Sequence, residues 1–444
     1  MLKIHNTLTG KKDEFKPIID GEVSMYVCGP TVYDYDHIGH ARTYLSFDLL
    51  NRVLKNQGFS VNYIQNITDV GHLVNDAEVG ADKIQKKAAE TGQTPRQIAE
   101  HFTESHLKDL KNLNILLPSQ LPKASANIKE IQEFITGLIN AGFAYVTNQG
   151  NVYFAVSKKV DYGKLSHRSI SELLTGTRVE TAADKRSSAD FALWKNSRIN
   201  DPEMTWDSPW GKGYPGWHIE CSAMSRKYLG DTFDIHGSAV EHVFPHHENE
   251  IAQTESLTGK PMANYWVHTG MLTVDSKKMS KSLHNQVNVQ DALKEYSANE
   301  IRLAFFQTHY RKPFDYTKEV MEQGVALRRK IFQAYPLMEK SAGQEIYQEI
   351  LAALDDDLDT PTAIRTWSEN YLKLGQEQTH MLFELFGIKY VDIGESAEAT
   401  ELATQRDAAR ARNDFLTADN RKAEIYQMGY EVVDTPNQTT YLPR

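Results

Sequence analysis

The 444-residue chain predicts an α/β protein built on a parallel sheet and followed by a helical region. Three observations carry that expectation. An apolar run from Val23 to Val27 is followed by a helical pattern through Tyr44, Phe47, Leu50 and Leu54, then by a second apolar run from Val61 to Ile64. That order is strand, helix, strand, and a helical crossover joins parallel neighbours. From about residue 316 onward, long amphipathic patterns dominate, Val320 to Tyr335 among them, and these predict helices.

Taken in order, the first helix opens on His37-Ile38-Gly39-His40, which places two imidazoles at a helix N-terminus on the carboxyl edge of the sheet. Free backbone N–H groups and the helix dipole favour phosphate there. Gly39 leaves the backbone open to a flat base or ribose, and Gly58 marks the helix stop. A charged helical stretch is expected from Ala81 to Leu116, with Pro118 and Pro122 punctuating its exit. Residues 125–203 alternate helix-like and strand-like patterns, with Asn151 to Val156 read as a strand. From Trp206 the chain returns to a helix through Cys221 and a strand at Phe233 to Ile235. Lys278-Met279-Ser280-Lys281-Ser282 follows Val274-Asp275 in a polar stretch and reads as a loop. It offers two ammonium groups to a departing polyphosphate. Alone, His-x-x-His is common and a lysine-rich loop is ordinarily solvated; the two in this order, the first at a strand-to-helix turn, point to nucleotide chemistry.

Composition narrows the setting. The net charge is −10, which describes the whole surface and leaves room for a local basic face. The N-terminus lacks the charged-then-apolar pattern of a signal peptide, and no apolar run approaches the roughly 20 residues of a membrane helix. Only two cysteines occur, Cys28 and Cys221, so a disulfide framework is not expected and a reducing, cytoplasmic setting is. Further on, Phe244-Pro245-His246-His247-Glu248-Asn249-Glu250 puts His246 and Glu250 four apart, on one helix face. Two thiolates, an imidazole and a carboxylate can make a tetrahedral zinc set. From spacing alone a second fate stays open, that both cysteines are buried small apolar residues.

The His-Ile-Gly-His and Lys-Met-Ser-Lys-Ser pair resembles class I aminoacyl-tRNA synthetases. With Cys28-Gly29-Pro30-Thr31, Gly216-Trp217-His218-Ile219-Glu220-Cys221 and the His246–Glu250 segment, the chain is similar to the cysteinyl-tRNA synthetase family. The likeness runs from about Met25 through the lysine motif and resumes at Asp355 to Pro361 and near Arg406 to Thr440.

The resemblance implies a Rossmann-like catalytic domain in two halves, 1–124 and 204–265, split by a connective-peptide insertion at 125–203. It implies a linker at 266–315 carrying the lysine motif, a helical bundle for the tRNA at 316–400, and a small C-terminal anticodon-binding domain at 401–444. It implies zinc on Cys28, Cys221, His246 and Glu250, and a cysteine pocket lined by Thr68, Trp217 and His236. His37, Gly39, His40, Lys278 and Lys281 would bind ATP with its magnesium, and of these His37, His40, Lys278 and Lys281 would act in catalysis. The expected activity is ATP-dependent formation of cysteinyl-adenylate and transfer to the 3′ adenosine of cysteine tRNA, with neither membrane nor DNA as partner. A closed structural zinc is an alternative to one that meets the substrate, since four protein ligands suits both. Two further alternatives are a ligase passing cysteine to a small amine and a non-catalytic RNA-binding paralogue. The second draws on Ser238, Ala239 and Glu241 in Gly237-Ser238-Ala239-Val240-Glu241, where the family has a glycine triplet and an aspartate; Leu283-His284-Asn285 also departs from the family's Leu-Gly-Asn.

Overall fold

The computed structural model describes residues 1–70, 82–169, 172, 184–196, 204–279, 285–434 and 439–444. They form two compact units, one of residues 1–111 and 116–271, the other of 112–115 and 272–444.

The first unit opens on a hairpin, β1 (Lys3–Asn6) and β2 (Lys11–Glu14). Strand β3 (Glu22–Val27) then leads to helix α1 (Ile38–Asn56) and strand β4 (Ser60–Gln65), which pairs parallel with β3. In β3, Val23, Met25, Tyr26 and Val27 are all buried, because helices and loops cover both faces of a parallel sheet. Helix α1 is buried on most sides and stops at Gln57, with Gly58 at φ +92° turning the chain back. The charged stretch expected over 81–116 is two helices rather than one: α2 (Lys83–Thr91) and α3 (Pro95–Asn112). Gly92 separates them in the left-handed region, where the backbone cannot continue a helix. Ala81 itself lies outside the described residues.

Helix α4 (Ile128–Asn140) begins the inserted segment. It packs on an antiparallel sheet of β5 (Ala144–Val146), β6 (Val152–Phe154), β7 (Phe191–Asn196) and β8 (Gly213–Pro215). The strand expected from 151 to 156 ends early, since Val156 starts a short 3-10 turn. Phe154, Leu193 and Trp194 fill a core of this layer that also takes Ile219 and Ala223 from α5 (Trp217–Leu229). Strand β9 (Phe233–Ala239) runs beyond the expected Ile235 and pairs parallel with β3; α6 (Glu248–Thr258) and β10 (Ala263–Thr269) complete the parallel order β10-β9-β3-β4. Buried Asp234 ties the start of the sheet by accepting from Ile18 N at 2.6 Å and from Ser24 N and Oγ at 2.8 and 2.7 Å.

The second unit begins with a hairpin of β11 (Leu272–Val274) and β12 (Lys277–Lys278), turned through Asp275 and Ser276 at φ +48° and +61°. Two positive-φ residues are what a tight two-residue hairpin needs. After the short helices α7 (Val289–Glu295) and α8 (Ala298–Phe305), β13 (Phe314–Tyr316) pairs parallel with β11. Helices α9 (Lys318–Ala334), α10 (Gln344–Asp355), α11 (Thr360–Asn370) and α12 (Gln376–Phe386) follow, then α13 (Ala397–Ala411), α14 (Phe415–Gln427) and the hairpin β14 (Tyr430–Asp434) and β15 (Thr439–Pro443). Buried arginines stitch these elements. Arg302 donates to Phe386 O at 2.7 Å and Leu113 O at 3.0 Å, and Arg328 donates to Glu300 at 3.0 Å and Pro443 O at 2.6 Å.

A Cβ at Gly29 would lie 1.7 Å from Asn66 O, a backbone atom that cannot step aside. Its N–H also donates to Asn66 Oδ1 at 2.9 Å. Gly29→Ala is therefore expected to cost about 1–3 kcal/mol or more through overpacking, read as a lowered thermal midpoint; an unchanged midpoint would show that the two segments separate freely.

Candidate active site and metal centre

The N-terminus of α1 presents the two motif histidines. His37 is the N-cap, with an extended backbone; His40 N donates to His37 Nδ1 at 3.2 Å, and His37 N approaches His40 Nδ1 at 3.4 Å. The rings stack with centroids 3.7 Å apart. The first turn carries no acidic side chain, so the free N–H groups and the positive helix end remain suited to an anion. Asp36, just ahead of the motif, is buried between His40 Nδ1 at 3.0 Å and His106 Nδ1 at 2.5 Å. Burial opposes charge on this carboxyl, yet the facing His106 and His40 rings hold it well below the usual range.

Side chains whose donor atoms could hold a metal ion converge at the carboxyl edge of the same sheet. Cys28 follows β3 and keeps its strand partner, donating from its N–H to Gly237 O at 3.0 Å. Cys221 lies in the first turns of α5, and Glu250 in the first turn of α6. His246 precedes α6 in an irregular turn interrupted at Phe244, so the expected single helix face is a helix plus the turn before it. Ligand atoms of Cys28, Cys221, His246 and Glu250 all lie within 4.8 Å of one another, and so do those of Cys28, His236, His247 and Glu250. All of these residues are buried.

Glu250 belongs to both sets. Its Oε2 meets His236 Nε2 at 2.8 Å and its Oε1 meets His246 Nε2 at 3.0 Å. Burial favours the neutral acid, but His236 and His246 hold Glu250 down at about 2. Burial likewise disfavours charge on His246, and Glu250 and Cys221 reverse this, raising it to about 10. The thiols titrate as a pair: the hydrogen bond from Cys28 brings Cys221 down to about 6, while burial and Cys221 push Cys28 up. One thiolate thus forms readily, and the second proton leaves when a cation takes its place. His247 Nε2 stands 3.2 Å from Cys28 Sγ, and its Nδ1 is 2.8 Å from His268 Nε2. Burial and neighbouring His236 depress both rings, His268 to about 3, so both are neutral at physiological pH. Glu220, next to Cys221, is fully buried; burial and the adjacent Cys221 push its carboxyl well up against the hydrogen bond from Thr68, which avoids a second negative charge beside the thiolate.

The donor chemistry fits zinc. The set with two sulfurs is the softer and suits zinc better than the set with one. His218 Nδ1 stands 2.9 Å from His246 Nδ1, the kind of outer contact that orients a ligating imidazole.

The other expected residues fall as follows. Thr68 is buried and accepts from Asn66 Nδ2 at 3.1 Å, and His236 is fully buried and stacked on Trp266 at 4.7 Å. Trp217 is half-buried at the start of α5, its ring 4.3 Å from that of His246. Lys278 is exposed in β12, a strand rather than the loop expected, and its carbonyl accepts from Asn285 Nδ2 at 3.2 Å. Ser280, Lys281, Ser282, Leu283 and His284 lie outside the described residues. At the departures from the family's glycine triplet, Ser238 and Ala239 sit in extended β9, which any residue adopts, and the Ser238 hydroxyl hydrogen-bonds Cys28. Gly237 is the one that must stay small, since a Cβ would lie 2.1 Å from Phe47 Cζ. Glu241 is exposed in the following turn. Sequence reasoning missed Asp36, His106, His247 and His268. Adjacency to His37 and His246 was the available signal for Asp36 and His247; His106 and His268 had none.

Comparison with known proteins gives the class first: residues 14–326 match the catalytic domain of class I (C) tRNA synthetases. The Mycobacterium tuberculosis methionyl-tRNA synthetase structure shares the fold, with a TM-score of 0.55 at 12% identity over 87% of this chain and 84% of that one. The Cysteine--tRNA ligase of Chlorobaculum tepidum is 41% identical, covering 99% of this chain and 98% of its own. That of Thermococcus kodakarensis is also 41% identical, with 99% and 98% coverage. The chain belongs to the cysteine–tRNA ligase family. No helix among the described residues is long and apolar enough to cross a membrane.

Metal analysis of two variants separates the ligand sets. Cys221→Ser is expected to lose most of its zinc, whereas His247→Gln is expected to retain close to one ion per chain. The reverse pattern would assign the ion to Cys28, His236, His247 and Glu250.

Proposed function

We propose that the protein activates L-cysteine with ATP and passes it to the 3′-terminal adenosine of cysteine tRNA. The observation that supports this most is the buried Cys28–Cys221–His246–Glu250 set on the sheet edge that also carries the N-terminus of α1. Zinc held there supplies a Lewis acid that takes a thiolate and binds a hydroxyl poorly at neutral pH.

The remaining chemistry falls to the chain's own groups. Trp217, Thr68 and His236 bound the cysteine pocket, the half-buried indole offering the apolar wall. Fixing the substrate sulfur orients its carboxylate for in-line attack on the α-phosphate. Gly39 lets the nucleotide approach the backbone, and His37 and His40 donate to phosphate oxygens as charge builds in the transition state. Lys278 and Lys281 neutralise the departing pyrophosphate, and magnesium arrives with ATP. No side chain serves as a covalent nucleophile; the ribose 2′-hydroxyl of the tRNA attacks the adenylate.

Residues 316–444 would hold the tRNA, the bundle at 316–400 and the small domain at 401–444. A shallow cleft of about 460 Å³ on the bundle is lined by Ala326, Arg329, Lys330, Gln333, Ala334 and Tyr371; of its two cationic side chains, Arg329 is paired with Glu431 and Lys330 donates to Ser368 O at 2.7 Å. Against a transfer to a small amine stands this region itself, which such an enzyme has no use for. The intact histidine motif argues against a non-catalytic paralogue.

Exchange of pyrophosphate into ATP should depend on cysteine, and serine should support it roughly 10³–10⁵-fold less well. Shape alone separates near-isosteres by only about 1–3 kcal/mol, whereas a lost ligand bond accounts for the larger ratio. Serine within tenfold of cysteine would make the metal structural. Exchange without charging of cysteine tRNA would favour the small-amine ligase.

A further inference from the structure

Both motif histidines face phosphate in the reading above, yet their hydrogen bonds make them unlike. We propose that Asp36, backed by buried His106, is a positioning residue that holds the hydrogen of His40 on Nδ1, the opposite of His37, so that from Nε2 only the imidazolium form of His40 can donate to phosphate. This rests on the assignment of His37 and His40 to the phosphates of ATP.

The distances carry the argument. His37 Nδ1 accepts from His40 N at 3.2 Å, so that nitrogen bears no hydrogen and the neutral ring carries its proton on Nε2. His37 therefore donates to an anion without being charged. His40 Nδ1 has two contacts that compete, His37 N at 3.4 Å and Asp36 Oδ1 at 3.0 Å. One ring nitrogen cannot accept and donate at once. The carboxylate contact is shorter and charge-assisted, so Nδ1 keeps its hydrogen and donates. A neutral His40 then turns a bare lone pair on Nε2 toward its surroundings, which repels a phosphate oxygen. Only the imidazolium donates from that side.

Asp36 is built for this role. It is 5% exposed, and each oxygen is committed to one imidazole, Oδ1 to His40 and Oδ2 to His106 Nδ1 at 2.5 Å. His106, on α3 and 2% exposed, is anchored in turn by Gln65 Oε1, 3.3 Å from its Nε2 at the end of β4. His37 stacks on one face of His40 and Tyr44 lies one helical turn on, its ring edge-on to His106. The groups facing His40 are thus His37, Tyr44 and Asp36 along its own segment, with His106 from α3 on the far side of the carboxylate. The depressed ionisation of Asp36 keeps it an anion throughout the working range. A carboxylate that sets the tautomer of an imidazole and steadies its charged form is a recurring device in catalysis.

The test uses the full-length zinc-loaded protein. Nitrogen-15 NMR of the histidine rings, with the His40 signals identified by their loss in His40→Gln, reads the tautomer directly in the unmodified chain. The expected neutral form of His40 carries its hydrogen on Nδ1; a hydrogen on Nε2 overturns the proposal. In cysteine-dependent pyrophosphate exchange, Asp36→Asn should lower kcat roughly tenfold, the size expected when an adjacent opposite charge is removed, with zinc content and the KM for cysteine unchanged, and Asp36→Glu should recover part of the loss. An unchanged kcat in folded Asp36→Asn overturns the proposal while leaving the phosphate assignment standing. If His40→Gln exchanges pyrophosphate at the unmodified rate, the phosphate assignment itself fails.

Discussion

Packing thiols, imidazoles and a carboxylate into one dry edge of the sheet is the constraint on which the first unit depends. An uncompensated ion there would cost several kcal/mol, and Glu250 avoids this by dividing its two oxygens between His236 and His246. That arrangement needs the backbone in register. Tyr26 pairs with His236 across β3 and β9, and Cys28 keeps a backbone bond to Gly237, so the first sulfur and the first imidazole are set by strand pairing. Gly29 and Gly237 then admit Asn66 and Phe47 at distances no side chain would tolerate. Ligand chemistry and sheet geometry are one problem here, because strand pairing sets where these donors lie.

The N-terminus of α1 shares that edge and solves a different problem. A helix start leaves N–H groups unpaired, and serine or aspartate ordinarily caps them. Here the His37 ring caps the helix by accepting from His40 N at 3.2 Å, so the first turn stays free of fixed negative charge. The nearest carboxylate, Asp36, is turned away into the protein, where His106 holds it. An anion thus meets a positive helix end and two imidazoles without first displacing an acidic side chain.

In the second unit buried charge is structural. Arg302 spends its donors on the carbonyls of Phe386 and Leu113, and a Cβ at Gly387 would lie 2.2 Å from its Nη2. Arg406 holds Asp434 with both oxygens, at 2.8 and 2.6 Å. These arginines are committed to packing, so a net charge of −10 says little about where phosphate can bind.

Much of this was legible in the residues alone. The strand–helix–strand order, the position of the histidines at a helix start, and the helices from Lys318 onward follow from periodicity and stop residues, which act over a few positions. The grouping of Cys28, Cys221, His246 and Glu250 was also legible, but through family likeness rather than spacing. Where local signals failed, the competing force was again local or else distant. Gly92 broke a helix whose charge pattern ran on, and Asp275-Ser276 turned a polar stretch into a hairpin that reaches Lys278. What only the tertiary structure decided is the second ligand set through His236 and His247, the His247–His268 contact, and the pairing of Asp36 with His106. Each joins residues on different strands and helices, and burial supplies the low dielectric that makes such contacts strong. Sequence determined which groups the protein carries and where its helices begin; folding decided which of those groups share a proton or a carboxylate and which donors come within reach of one another, because those interactions depend on distance and burial that no local pattern encodes.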